Sequence, residues 1–127
     1  MTMTHESAVK MLKDMVVAFN RHDLDAFMAY FTDDAVFESP RGPEAWGRRH
    51  EGKQAVREAM EGRLRDIPNV HYGQDTHFVT GDRGVSEWTL TGTTADGQRL
   101  EHRGCDLWTF RGGLVSRKDS FWKMVVA

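Results

Sequence analysis

The sequence contains only one cysteine, Cys105, among its 127 residues, so an internal disulfide is excluded. A single thiol is typical of a protein that stays in a reducing compartment, and we expect a cytoplasmic location. Long apolar runs are also absent. Residues 1–13 have no apolar core of signal-peptide length, and no run elsewhere approaches the length of a membrane span. We therefore expect no association with a membrane.

An excess of basic charge is lacking as well. Lysine and arginine total 17 against 19 acidic residues, and the two signs are interleaved along the chain. Nucleic-acid binding requires a basic face that neutralises phosphates, so the charge pattern argues against it. His71 and His77 share strand parity with Asp75, but this spacing does not resemble a dedicated metal site. We expect no metal ion.

The first half of the chain is patterned for helices. Apolar residues at helical spacing predict a helix over 7–20, and Asp23 is placed to cap a second one. A third helix is predicted to start after Gly52 and to end before Pro68. Between the second and third helices we predict one short strand, 35–39, followed by a loop that carries Trp46 and a basic run.

The second half changes to the period of two that is typical of strands. Four long strands are predicted, over 70–80, 85–94, 98–110 and 114–126. Asp96 and Gly97 predict a type I′ hairpin, because both tolerate a positive φ. Helices followed by antiparallel strands indicate one α+β domain over 1–127.

Alternation along the third long strand places one acidic residue in a largely apolar row. Asp106 shares the face that we assign to the helices with Leu100, His102, Gly104, Trp108 and Phe110. The opposite face carries Glu101, Arg103, Cys105, Leu107 and Thr109.

Several segments together resemble the nuclear transport factor 2-like superfamily, and within it the SnoaL-like and ketosteroid-isomerase-like proteins. The similar segments are residues 19–27, 30–37, 52–57 and 105–110 followed by Gly112 and Gly113. The resemblance implies a cone, in which a curved antiparallel sheet wraps three helices and leaves an apolar cavity. It also implies a homodimer formed through the outer face of the sheet. The fold hosts isomerases, cyclases, hydratases and non-catalytic domains, so it does not define one function.

The resemblance also supplies an expected site. It matches Asp106 to the acid that ketosteroid isomerases keep protonated beside an oxyanion, an effect that is well described for that enzyme. The isomerase's general base aligns with Ser39 and its oxyanion tyrosine with Met15, so two catalytic groups of that enzyme are replaced here. The period of two directs Glu38 to the opposite face. The chain is therefore not expected to be a ketosteroid isomerase.

Asp106 has two interpretations. A carboxyl group desolvated by Trp and Phe side chains has a raised pKa and acts as an acid or as a hydrogen-bond donor. The alternative is a fixed structural hydrogen bond. His102, on the same face, is either a helper in acid–base chemistry or a structural histidine.

The aromatic residues likewise have two interpretations, as walls of a ligand cavity or as ordinary core. Trp88, Trp108 and Trp122 belong to this group, and the resemblance favours a pocket-facing position for the last two beside Phe37 and Ser39. Trp46 either closes the mouth of the cavity or is an exposed loop residue. The candidate substrate-binding residues are Phe37, Ser39, Trp46, Trp88, Trp108, Trp122 and Met15.

Charged residues outside this row receive structural interpretations. Glu87 is predicted on the outer face, in an ion pair with Arg103 or with a dimer partner. The cluster of Arg117, Lys118 and Asp119 is interpreted as a solvated strand edge.

Two hypotheses of function follow. The first is a cofactor-independent isomerase, cyclase or hydratase that transfers protons near the carbonyl of a small hydrophobic molecule, with Asp106 as the acid or base. The second is a non-catalytic domain that binds a small molecule or dimerises.

Overall fold

Three helices lie against one face of a six-stranded sheet in the computed structural model, which describes residues 3–126. The helices are α1 (His5–Asn20), α2 (Leu24–Met28) and α3 (Lys53–Asp66). The strands are β1 (Phe31–Glu44), β2 (Gly47–Glu51), β3 (His71–Thr80), β4 (Arg83–Thr93), β5 (Arg99–Arg111) and β6 (Leu114–Trp122). The α+β class predicted from the sequence is confirmed. Met1, Thr2 and Ala127 lie outside the described residues, so the domain range 1–127 stays a prediction.

Side-chain caps start the first two helices where the sequence indicates. The Thr4 hydroxyl accepts a hydrogen bond from the Ser7 backbone N–H at 3.0 Å, which satisfies one free donor of α1. Asp23 caps α2 in the same way, through Ala26 N–H at 3.1 Å. The helices predicted over 7–20 and after Asp23 are confirmed, as is the third.

The sheet has the strand order β2-β1-β6-β5-β4-β3. All neighbouring strands are antiparallel except β1 and β6, which are parallel. The prediction of a short strand and a loop between α2 and α3 is wrong. Residues 47–51 form β2, which pairs with β1 from Val36 opposite Glu51 to Ser39 opposite Arg48. Pro40 and Pro43 fall where the β1–β2 register is irregular, so neither interrupts the regular pairing.

The hairpin between β4 and β5 also differs from the prediction. Only Gly97 has a positive φ, 94°, so Asp96 does not form part of a type I′ turn. Gly97 N–H donates to the Thr94 carbonyl at 2.9 Å, and Thr94 N–H donates to the Gln98 carbonyl at 2.8 Å. These bonds define a three-residue loop that ends in a glycine bulge.

The core fills the space between the helices and the inner face of the sheet. Phe19, Phe27 and Phe31 pack edge to face or tilted, with ring centroids 5.2 Å apart in each successive pair. Leu90 on β4 and Val115 on β6 are fully buried in the same core. None of the helices within residues 3–126 has the length and apolar character required to cross a membrane.

Candidate active site

Asp106 lies on the inner face of β5 and accepts three hydrogen bonds. Its Oδ2 accepts from the Trp88 Nε1 at 2.9 Å, and its Oδ1 accepts from the Lys118 Nζ at 2.9 Å and from the Ser120 hydroxyl. The residue is 5% exposed. All three partners are donors, so the carboxylate acts here as an acceptor within an ion pair. The inward position predicted from strand alternation is confirmed.

Lys118 is a candidate site residue that the sequence interpretation did not include. It was predicted at a solvated strand edge, which is wrong, because the residue is 7% exposed on the inner face of β6. Its Nζ donates to Ser120 Oγ at 2.7 Å and lies 4.8 Å from the Phe37 ring centre and 5.6 Å from that of Trp108. The period of two places Lys118 on the same face as Ser120. The charged neighbours Arg117 and Asp119 instead favoured the interpretation of a solvated edge.

Burial lowers the pKa of Lys118, while the nearby Asp106 carboxylate opposes that shift. The cause is desolvation of the ammonium group, which disfavours its charged form. A lysine in this setting gives up its proton more readily than a surface lysine.

A cavity of about 30 Å³ lies beside this ion pair. Its helical side is formed by Met15, Val16, Phe19, Phe27 and Met60. Its sheet side is formed by Tyr72, Trp88, Asp106, Trp108 and Lys118. The volume is enough for one or two water molecules. A ligand therefore requires the helical side chains to move.

Tyr72 brings a second polar group to the cavity. The Arg63 guanidinium donates to its hydroxyl oxygen at 2.6 Å, and its ring packs edge to face on Trp88 at 4.7 Å. Burial raises the pKa of Tyr72, against the opposing effect of Arg63. The phenol therefore keeps its proton and stays a potential donor.

Trp88 reaches Asp106 because β5 carries a glycine directly beneath the indole. A Cβ atom at Gly104 would stand 2.6 Å from the Trp88 Cη2 and 2.3 Å from the Phe121 carbonyl oxygen. Only a residue without a side chain leaves room for this contact.

A second inner-face hydrogen-bond chain runs from β3 to β5. The Asp75 Oδ2 lies 2.7 Å from the His77 Nε2, and the His77 Nδ1 lies 2.7 Å from the Ser86 Oγ. The Trp108 Nε1 donates to the same Ser86 oxygen at 2.8 Å. If His77 is neutral and donates to Asp75, Ser86 donates to His77 and every group has a partner. The chain thus fixes the orientation of Trp108, a wall of the cavity.

A β-bulge brings His77 to this face. Gln74 and Asp75 together stand opposite Trp88, one residue more than regular pairing has, between the pairs Gly73–Thr89 and Thr76–Glu87. Gln74 has a φ of 53°, in the left-handed region. The prediction that His71 and His77 share a face of the strand is therefore wrong. The bulge between them reverses the alternation, so they lie on opposite faces of the sheet.

Of the candidate site residues, Met15, Trp88, Trp108 and Asp106 are brought together around the cavity. Phe37 lies next to them, against Lys118.

The remaining candidates lie elsewhere. Ser39 bonds to the Arg41 carbonyl at 2.9 Å at the end of the sheet, and Trp46 is 44% exposed beneath Arg49. Trp122 is stacked on His102, with ring centres 5.9 Å apart. Within residues 3–126, no hydrogen bond joins His102 to Asp106, and the His102 Nδ1 is buried without a partner.

Glu38, which points away from the cavity as expected, is fully buried by two arginines. Arg49 donates to its Oε2 at 2.7 and 3.0 Å, and Arg117 donates to its Oε1. Within residues 3–126, no group of three or more His, Cys, Asp or Glu side chains is placed to hold a metal ion.

A curved sheet around three helices, with polar groups on its inner face, defines a nuclear transport factor 2-like domain. The chain belongs to the SnoaL-like domain family, whose model matches residues 12–118. The resemblance found in the sequence is thereby confirmed. No curated protein matches the sequence.

Solved structures share this fold at low identity. One, from Xanthomonas campestris pv. campestris and provisionally named a polyketide cyclase, is 22% identical, with a TM-score of 0.82 over 94% of this chain and 92% of that chain. Another, from Bacillus subtilis and provisionally named an isomerase, is 21% identical, with a TM-score of 0.80 over 95% and 90%. An NTF2-like protein of unknown function from Burkholderia pseudomallei is 21% identical, with a TM-score of 0.81 over 95% and 92%. These identities establish the fold alone.

Proposed function

We propose that the protein is a cofactor-independent enzyme that transfers protons next to the carbonyl group of a small hydrophobic substrate. The observation that carries this proposal is the buried pair of Asp106 and Lys118 in the wall of an apolar cavity. The provisional names of two similar structures, a polyketide cyclase and an isomerase, fit this class of reaction.

The two charged groups take different roles in this proposal. The Lys118 ammonium donates a hydrogen bond to the substrate oxygen, where negative charge develops as a proton leaves the adjacent carbon. The Asp106 carboxylate takes that proton and returns it, to the same carbon or to another. The surrounding apolar side chains exclude water and so strengthen both interactions.

Met15, Trp88 and Trp108 form walls of the cavity in this proposal, and Phe37 packs next to them against Lys118. Their flat and flexible surfaces suit a planar or small apolar substrate. His102, Ser39, Trp46 and Trp122 lie outside the cavity lining, so no step of the proposed reaction is assigned to them.

Deuterium exchange tests the proposal. Small and planar ketones are incubated in D₂O with wild type, and loss of the proton next to the carbonyl is followed by NMR. We expect wild type to accelerate exchange for one class of ketone. The matched controls Asp33→Asn and Lys123→Met, at exposed positions, should retain that rate.

The double variant Asp106→Asn with Lys118→Met removes both charges and should abolish the acceleration while the protein stays folded. Acceleration that survives in a folded double variant would contradict the proposal.

A non-catalytic binding domain is the second candidate, and the hydrogen bonds of Asp106 favour it. The Asp106 oxygens already accept from three donors, so neither is free to take a substrate proton unless one of these bonds is broken. On this alternative, ketones or phenols raise the melting temperature without any exchange of their protons.

We also propose a homodimer through the outer face of the sheet. A groove there is lined by Glu87, Arg103, Cys105 and Phe121, and Phe121 is 50% exposed. Glu87 faces outward, as predicted, and accepts a hydrogen bond from Thr76 at 3.1 Å. Sedimentation should give a dimer at micromolar concentration, and Phe121→Glu should shift it to monomer. A wild-type monomer under these conditions would refute this arrangement.

A cytoplasmic location is proposed on the basis of Cys105 alone. The thiol is partly buried, and burial raises its pKa, so the thiol resists oxidation. The sequence contains no second cysteine with which it could form a disulfide.

A further inference from the structure

The Lys118 amine is placed as a nucleophile rather than only as a charge. Its Nζ lines the interior cavity, with the Phe37 and Trp108 rings beside it and two oxygen atoms, of Asp106 and Ser120, within hydrogen-bond distance. We infer that Lys118 forms a covalent imine with small aldehydes and unhindered methyl ketones. This inference rests on the proposed function and names the substrate class of the same site.

The neighbouring groups supply the proton transfers that imine formation requires. The Lys118 ammonium first gives a proton to the Asp106 carboxylate, and the free amine then attacks the carbonyl carbon. The new C–N bond forms as the carbonyl π electrons move to oxygen. A proton passes from nitrogen to that oxygen, with the Ser120 hydroxyl as the relay, and yields a neutral carbinolamine.

Loss of water completes the step. Protonated Asp106 gives its proton to the carbinolamine hydroxyl, water leaves, and the nitrogen lone pair forms the C=N bond of an iminium ion. In sum, one ammonium and one carbonyl give one iminium and one water, with Asp106 again ionised and no oxidant or reductant consumed. The iminium is a stronger electron sink than the ketone, and Asp106 is positioned to take the adjacent proton.

The shape of the cavity sets the size of the substrate. At about 30 Å³ it excludes any ring system as it stands. Met15 and Met60 form part of its helical side, and the three rotatable bonds of methionine allow these side chains to move aside. Carbonyl compounds the size of acetaldehyde or acetone require the smallest movement.

Reductive trapping tests this inference. Wild-type protein is incubated at neutral pH with acetaldehyde or acetone and cyanoborohydride, which reduces an iminium to a stable secondary amine, and peptides are mapped by mass spectrometry. We expect the adduct to form at least tenfold faster on Lys118 than on Lys10 or Lys123, which are exposed lysines of the same chain. Lys118→Arg keeps the positive charge but removes the nucleophile, and its adduct at this position should disappear.

The outcome is separable from that of the proposed function. Acceleration of deuterium exchange with no preference for Lys118 in trapping would overturn the imine and leave the non-covalent mechanism in place. Adducts confined to surface lysines would overturn it as well. Because trapping is mapped on wild type, a variant that fails to fold does not affect the result.

Discussion

At the scale of single residues, Asp106 and Lys118 depend on each other. Each is almost completely buried, and each supplies the other's opposite charge at 2.9 Å. Taking one away leaves an unpaired charge in an apolar interior, which costs more than the pair itself contributes. The same dependence keeps a polar centre inside a core of aromatic side chains.

The first prediction concerns this pair. Asp106→Asn should lower the free energy of unfolding by about 3–5 kcal/mol, because Lys118 loses its counter-charge. The double variant Asp106→Asn with Lys118→Met should regain most of the lost free energy of unfolding. The buried ammonium is then gone, and the asparagine still accepts a hydrogen bond from Trp88. Urea denaturation measures both, with the exposed Asp33→Asn as the control. If the double variant loses as much free energy of unfolding as Asp106→Asn, or more, the two residues do not stabilise each other as described.

The second prediction is a pH dependence that belongs to Lys118. Its pKa is lowered in the folded protein and stands at its ordinary value of 10.5 when unfolded. Between these two values the unfolded chain binds the extra proton, so stability contributed at this position rises as pH rises. The free energy of unfolding of wild type, relative to that of Lys118→Met, should therefore increase as the pH rises between these two pKa values. A constant difference would show that the lysine is not desolvated.

At the scale of elements, the β-bulge in β3 decides which side chains reach the inner face. Gly73 stands directly before the bulge, and an isolated glycine within a strand is a signal for one. Gln74 is the residue with the positive φ, however, and its residue type does not favour that conformation. The sequence pattern therefore indicates the neighbourhood of the bulge but not the residue that forms it. Lys118 was predictable from the period of two, as Asp106 and Trp108 were. The strand β2 was missed because its short basic run resembles a loop.

The third prediction tests the bulge. Gln74→Gly should change stability by less than about 1 kcal/mol, because glycine adopts a positive φ freely but costs entropy on folding. Deletion of Gln74 leaves Asp75 as the single residue opposite Trp88, so His77 should stay paired with Ser86 on the inner face. His77 should then react with diethylpyrocarbonate as slowly as it does in wild type. Reaction at the rate of an exposed histidine in a folded deletion variant would contradict this register.

The fourth prediction tests the contact between β4 and β5. Gly104→Ala should destabilise the protein by about 1–3 kcal/mol and displace the Trp88 indole from Asp106. Gly62→Ala on α3 is the control, since the added methyl meets only the end of the Arg65 side chain at 3.4 Å. Trp fluorescence and thermal unfolding report the two effects. An unchanged melting temperature and spectrum in Gly104→Ala would mean that the indole is not held there.

At the scale of the whole molecule, the fold brings distant segments to one centre. The helical side of the cavity comes from α1, α2 and α3, and the sheet side comes from β3 to β6. The fold class and the inward position of Asp106 could be predicted from residue patterns alone. The partners of Asp106 could not, because strand register between β4, β5 and β6 sets them, and register is a property of the assembled sheet.

Burial gives Lys118 one directly measurable property, which is that it releases its proton more readily than a surface lysine. An NMR titration of protein labelled with ¹³C at the lysine Cε measures this property directly. We expect the Lys118 resonance to titrate at a lower pH than those of Lys10 and Lys123. A Lys118 resonance that titrates with the surface lysines, or at a higher pH, would contradict it.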